Sequence, residues 1–100
     1  MTSQKIKITD SARRFLQLRN ITDVTFRLQE HDVAGCCVGL VKEIEPVYQA
    51  PKDARGYQYR PTDACHLYIS RRLKIIGPLV LSTEGLFSKR LFLGGVSVPL

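Results

Sequence analysis

Residues 24–31 read VTFRLQEH, and their alternation constrains the chain more than any other feature. Val24, Phe26 and Leu28 fall on one side of an extended backbone and Thr25, Arg27 and Gln29 on the other, which is the two-residue period of a half-buried strand. Further strands are expected at KIKIT (5–9), VGLVKEIEPVYQ (38–49), ACHLYIS (64–70), PLVLSTE (78–84) and SKRLFLGG (88–95), where β-branched and aromatic residues recur. Pro46 marks an edge, a bend or the end of its strand. The polar stretch APKDARGYQYRPTD (50–63) reads as a surface excursion in which Tyr57 and Tyr59 form a short rung, and RRLKIIG (71–77) as a short helix or turn.

Only one segment has a helical period. After Thr9 or Asp10 as N-cap, Ala12, Phe15 and Leu16 stand at i, i+3 and i+4 while Arg13, Arg14 and Gln17 face away, predicting a helix to about Asn20. So short a helix must pack to persist. With 100 residues and 44% hydrophobic content there is room for a single domain over 1–100 with one small core. The residues predict a mostly β (α+β) domain with one N-terminal helix.

The net charge of +6 is spread over short pairs, Arg13-Arg14, Arg71-Arg72 with Lys74, and Lys89-Arg90. No basic run alternates with exposed aromatics as a nucleic-acid platform would, so these charges read as solvated faces and guarded strand edges, and nucleic acid is not an expected partner. Apolar runs such as Ile75 to Leu81 fall far short of the roughly 20 residues needed to cross a bilayer, and MTSQKIKITD lacks the apolar core of a signal peptide. A cytoplasmic protein without membrane contact is expected.

Three cysteines in a reducing compartment are not a disulfide framework, and the odd count argues the same way. Two of them, Cys36 and Cys37, adjoin within AGCCVG, flanked by Gly35 and Gly39, in the loop of an expected hairpin. Adjacent strand residues point to opposite faces, which makes the pair a poor chelate unless the loop twists. A bridge between neighbours is strained as well, because their Cα atoms lie about 3.8 Å apart and disulfides usually span 4.4 Å or more. Strain raises the reduction potential, a property of a switch or catalyst rather than of a staple. Three readings stand open for the pair: thiol redox or selenium-type chemistry, metal or cluster transfer, and inert packing. Gly35 and Gly39 favour reactivity by leaving the thiols uncrowded, and His31 would lower a thiol pKa if the loop folds back, an effect that Asp32 opposes. Cys65 reads as core packing, with a resolving thiol or third ligand as the alternatives.

ITDSARRFLQL, then an alternating strand, a glycine-flanked cysteine and YISRRLKIIGPLVLSTEGLFSKRLFL form an order that resembles the HesB-like domain of the A-type iron-sulfur carriers. Against that family's Gly-Gly-Cys-Ser-Gly, this chain has Gly35, Cys36, Cys37, Val38 and Gly39, so Cys37 takes the place of the family cysteine. The resemblance implies a small mixed β pseudobarrel with one N-terminal helix. It also implies an iron-sulfur cluster or metal held through Cys37 with help from Cys36, Cys65 or a second subunit, a homodimer doubling the ligand count. The carriers' C-terminal Cys-x-Cys is absent from LFLGGVSVPL, and the adjacent cysteines look more like the small HesB-like branch with a Cys-Cys or cysteine-selenocysteine motif.

Ser70, Ser82 and Ser88 lack a nucleophile-elbow context, and the chain has neither a Gly-rich phosphate loop nor metal-spaced histidines, which disfavours a hydrolase or phosphotransferase. Nothing in the residues demands a cofactor. Two functions of different class remain. One is a redox protein whose Cys36 and Cys37 exchange with a thiol or disulfide partner, protein or small molecule; the other is a cluster or metal carrier. A basic binding module with incidental cysteines is held in reserve.

Overall fold

The computed structural model describes residues 6–32, 40–85 and 89–98. The alternating segment forms β2 (Asp23–Asp32), an inner strand of a four-stranded sheet. It pairs antiparallel with β3 (Leu40–Val47), from Thr25 opposite Val47 to Asp32 opposite Leu40 without a register shift. On its other side it pairs parallel with β5 (His66–Ser70), which in turn pairs antiparallel with the edge strand β4 (Tyr57–Pro61), giving the order β3-β2-β5-β4. A three-stranded sheet, ordered β1-β6-β7, is built from β1 (Lys7–Ile8), β6 (Lys74–Glu84) and β7 (Arg90–Ser97). Both sheets are mixed, since β1 runs parallel to β6.

One core lies between the sheets. Val24, Phe26, Leu67 and Ile69 enter it from the larger sheet and Leu79, Leu81, Leu91 and Leu93 from the smaller. The helix α1 (Asp10–Leu18) adds Ala12, Phe15 and Leu16, the three positions its period predicts. The fold is thus mostly β with one helix. Among the described residues the two sheets do not close into a barrel.

Thr9 is the N-cap, its hydroxyl accepting the Ala12 N–H at 3.3 Å. The helix ends two residues earlier than its period suggests, because Asn20 adopts a left-handed φ of 53°. Its N–H meets Gln17 O and that of Ile21 meets Leu16 O at 3.0 Å, the paired bonds of a Schellman stop. The next apolar residue therefore points back toward the core rather than onward along a helix. Thr9 N–H also bonds to Leu81 O at 3.0 Å, tying the helix entrance to β6.

Two expectations at 50–77 are corrected. Tyr57 and Tyr59 are more than a rung, since Tyr57–Pro61 makes a whole edge strand, with Pro61 at its last residue where a missing N–H is tolerated. RRLKIIG is no helix: a turn holds Arg71, Arg72 and Leu73, and β6 begins at Lys74 and runs through Pro78. That strand survives a proline because its pairing with β7 slips between Ile75 and Val80, and Gly77 and Pro78 occupy the slip. Gly95 faces the slip at φ +91°, where a Cβ would stand 2.3 Å from Pro78 O.

β3 and β4 lie at opposite edges of their sheet, so residues 48–56 cross it. The crossing is on the outer face and is pinned by buried Thr25, whose hydroxyl donates to Gln49 O at 2.7 Å. Tyr48 turns the other way, packing on Phe15 at 5.5 Å and accepting the Leu91 N–H at the free edge of β7. No helix among the described residues is long and apolar enough to cross a membrane.

The slip makes unlike demands on two glycines. Replacing Gly95 with Ala should cost about 2 kcal/mol or more in chemical denaturation, from a strained φ and contact with a fixed carbonyl. Gly77→Ala, whose Cβ would meet open space, should stay within about 0.5 kcal/mol of wild type. Equal losses at both positions would show that the slip is not what requires Gly95.

Candidate functional site

The β2–β3 hairpin is the stem that carries the adjacent cysteines. Its apolar face ends at Leu28, and the next position of that parity is Glu30, a half-buried carboxylate paired with Arg72 of the β5–β6 turn. The apolar face therefore stops before the stem does, and the pairing continues through His31 with Val41 and Asp32 with Leu40. Residues 33–39 join those ends and lie outside the described residues, and with them Gly35, Cys36, Cys37 and Gly39. His31 is placed by its backbone, at the penultimate pair of the stem.

Cys65 is placed completely, and it is buried, 4% exposed. It sits just before β5 in a turn organised by Thr62, whose hydroxyl accepts the Ala64 and Cys65 N–H groups at 3.2 and 2.9 Å and donates to Cys65 O at 2.7 Å. Burial pushes its thiol above the ordinary 9.0, and the Asp23 and Asp63 carboxylates add to the shift, while the Thr62 hydroxyl at 3.9 Å opposes it. A buried thiol held in its neutral form is a poor nucleophile and a poor ligand. Its neighbour His66 pairs with Asp23, at the start of β2, whereas the cysteine-bearing connection leaves from Asp32. Nine residues at about 3.3 Å each separate those ends by roughly 30 Å. The structure thus puts Cys65 in the core, far from the end of the stem.

An iron-sulfur cluster finds no ligand set in the described residues. Among those residues β7 holds no cysteine, Cys65 faces the core, and no three His, Cys, Asp or Glu side chains converge.

A second constellation escaped the sequence reading. On the outer face of the larger sheet, Tyr59 stands opposite Tyr68 and Pro61 opposite His66. The Tyr59 hydroxyl meets His66 Nδ1 at 2.6 Å, the Tyr59 and Tyr68 rings lie 5.3 Å apart, and Tyr68 donates to Asp23 Oδ1 at 3.4 Å. The two-residue spacings Tyr57-x-Tyr59 and His66-x-Tyr68 carried half of this signal. The register between β4 and β5, which brings the pairs together, did not show.

A small β fold of two mixed sheets, with adjacent cysteines in the connection between β2 and β3, defines a class of vicinal-cysteine protein. This chain belongs to the CC/Se motif containing family, whose model matches residues 4–96. No curated protein and no solved structure matches the chain.

Cys65 yields a pH prediction. Its folded-state pKa is raised, so the native chain keeps the thiol neutral where the unfolded chain ionises it. That contribution is complete below about pH 9 and is lost as pH rises further. Cys65→Ala should cost roughly 1 kcal/mol at neutral pH and flatten the fall in unfolding free energy above about pH 9. An unchanged slope in the variant would mean that another group governs alkaline stability.

Proposed function

We propose that this chain is a thiol redox protein in which Cys36 and Cys37 work as a pair, exchanging with a thiol or disulfide partner. The observation that carries the reading is the family's motif, which couples adjacent cysteines with selenium. Selenium packs much as sulfur does and differs from it chiefly in ionising more readily and attacking faster, so a motif open to both elements is a motif of reactivity. The regular stem supports the reading, since it ends at Asp32 and Leu40, four residues before Cys36 and three after Cys37.

Cys65 takes no part in this scheme. Four residues of extended chain reach at most about 14 Å, short of the roughly 30 Å that separates the two ends of β2. The resolving thiol for either cysteine is therefore its neighbour. In exchange, the Cys37 thiolate attacks a partner disulfide and one partner sulfur leaves with the bonding electron pair. The Cys36 thiolate then attacks the Cys37 sulfur, releasing the second partner thiolate and closing the pair. Two electrons pass to the partner. The steps reverse when two external thiols reduce the closed pair, and ring strain favours that direction, so the closed form oxidises thiols. At about 30 mV per 1.4 kcal/mol, 3 kcal/mol of strain raises the potential by roughly 60 mV over an unstrained bridge.

Cys36→Ser tests the assignment. Treated with oxidised glutathione, the variant should accumulate a stable glutathione adduct on Cys37, while wild type should release glutathione and show a two-dalton loss in the peptide holding both cysteines. If both thiols label only after denaturation and the variant forms no adduct, the pair is packing and the redox reading fails.

A further inference from the structure

We infer that Tyr59 is a modification site, the residue at which this chain gives up an electron to small one-electron oxidants of the nitrogen dioxide class, with His66 taking the phenolic proton. The inference is independent of the cysteines and rests on the outer face of the larger sheet.

A neutral phenol is hard to oxidise by electron loss alone, because the cation left behind is a very strong acid; a base already hydrogen-bonded to the hydroxyl removes that obstacle. Tyr59 has one. Its hydroxyl lies 2.6 Å from His66 Nδ1, and with the phenol donating, Nδ1 is the unprotonated ring nitrogen and Nε2 carries the proton. Both rings are held. Tyr59 faces Tyr68 across the β4–β5 ladder, and the His66 ring stacks near-parallel on Tyr59 with centroids 5.8 Å apart, on a backbone whose N–H donates to Thr22 O at 2.9 Å. Tyr59 is also 52% exposed, so an oxidant in solution can reach it.

The other tyrosines are differently placed. The Tyr48 hydroxyl accepts from the Leu91 N–H, and Tyr68 donates to Asp23 Oδ1 across 3.4 Å. A proton moves less readily across 3.4 Å to a carboxylate than across 2.6 Å to an imidazole nitrogen. Among the described residues, Tyr59 is the tyrosine whose hydroxyl meets an imidazole nitrogen.

In the first step one nitrogen dioxide radical takes an electron from Tyr59 and becomes nitrite. The O–H bond breaks and its proton joins the Nδ1 lone pair, leaving a neutral phenoxyl beside an imidazolium. A second nitrogen dioxide then couples to the ring carbon next to the oxygen-bearing carbon, that carbon loses its hydrogen as a proton, and the phenol is restored as 3-nitrotyrosine. His66 returns its proton to water.

The test exposes the intact chain to nitrogen dioxide radical at neutral pH and maps nitration over Tyr48, Tyr57, Tyr59 and Tyr68 by peptide mass spectrometry. Two variants accompany wild type, with circular dichroism confirming the fold of each. His66→Phe keeps an aromatic ring beside Tyr59, and His66→Gln keeps an acceptor that cannot take a proton at neutral pH. Tyr59 should carry most of the product in wild type, and its yield relative to Tyr57 should fall at least about tenfold in both variants, below the ~10²-fold of an enclosed base because water also accepts the proton. Nitration that follows exposure alone, that concentrates on Tyr68, or that persists at Tyr59 in His66→Gln would overturn the inference.

Discussion

The burial of Phe26 and its neighbours along β2 is the constraint on which the rest of the molecule depends. This strand pairs on both edges, antiparallel to β3 and parallel to β5, and its inward side chains Val24 and Phe26 are almost wholly removed from water. Because side chains alternate strictly, a one-residue slip would put Thr25 and Arg27 in the core and Phe26 outside, so register and burial enforce each other. From that register follow the length of the hairpin and the point at which its apolar face gives way to Glu30.

Whatever depends on local period was legible in the sequence. The alternation of 24–31, the triad Ala12, Phe15 and Leu16 and the cap at Thr9 all reappear, since each is decided within a few residues. What depended on partners far along the chain was not. RRLKIIG has no strand period, because Gly77 and Pro78 interrupt it, and its strand exists only because β7 offers Gly95 opposite the slip. The stop near Asn20 was legible to within two residues, asparagine being one of the few residues besides glycine that tolerate the left-handed turn.

The candidate site divides in the same manner. The adjacent cysteines are a property of the sequence, and the hairpin beneath them follows from the alternation of 24–31 and the β-branched and aromatic content of 38–49. Cys65 needed the fold, because only the parallel pairing of β2 with β5 shows it to be at the wrong end of the sheet. The aromatic group on the outer face needed the fold still more, as Tyr59 and His66 belong to separate strands whose register no local pattern announces. Both results come from β5, which joins the core to the outer face through alternate residues: Leu67 and Ile69 inward, His66 and Tyr68 outward.

The crossing of residues 48–56 has a consequence for how copies of this chain meet at high concentration. Flat sheets of identical chains associate by laying face on face about 10 Å apart, as in fibrils. Here the bond from Thr25 to Gln49 holds a strip of chain across the face that such stacking would need. Pro61 at the end of the β4 edge and the Tyr48 hydroxyl on the Leu91 N–H of β7 interrupt two of the open edges that would otherwise template another strand. A chain built mostly of strands thereby keeps part of one sheet face and stretches of its open edges occupied by its own residues.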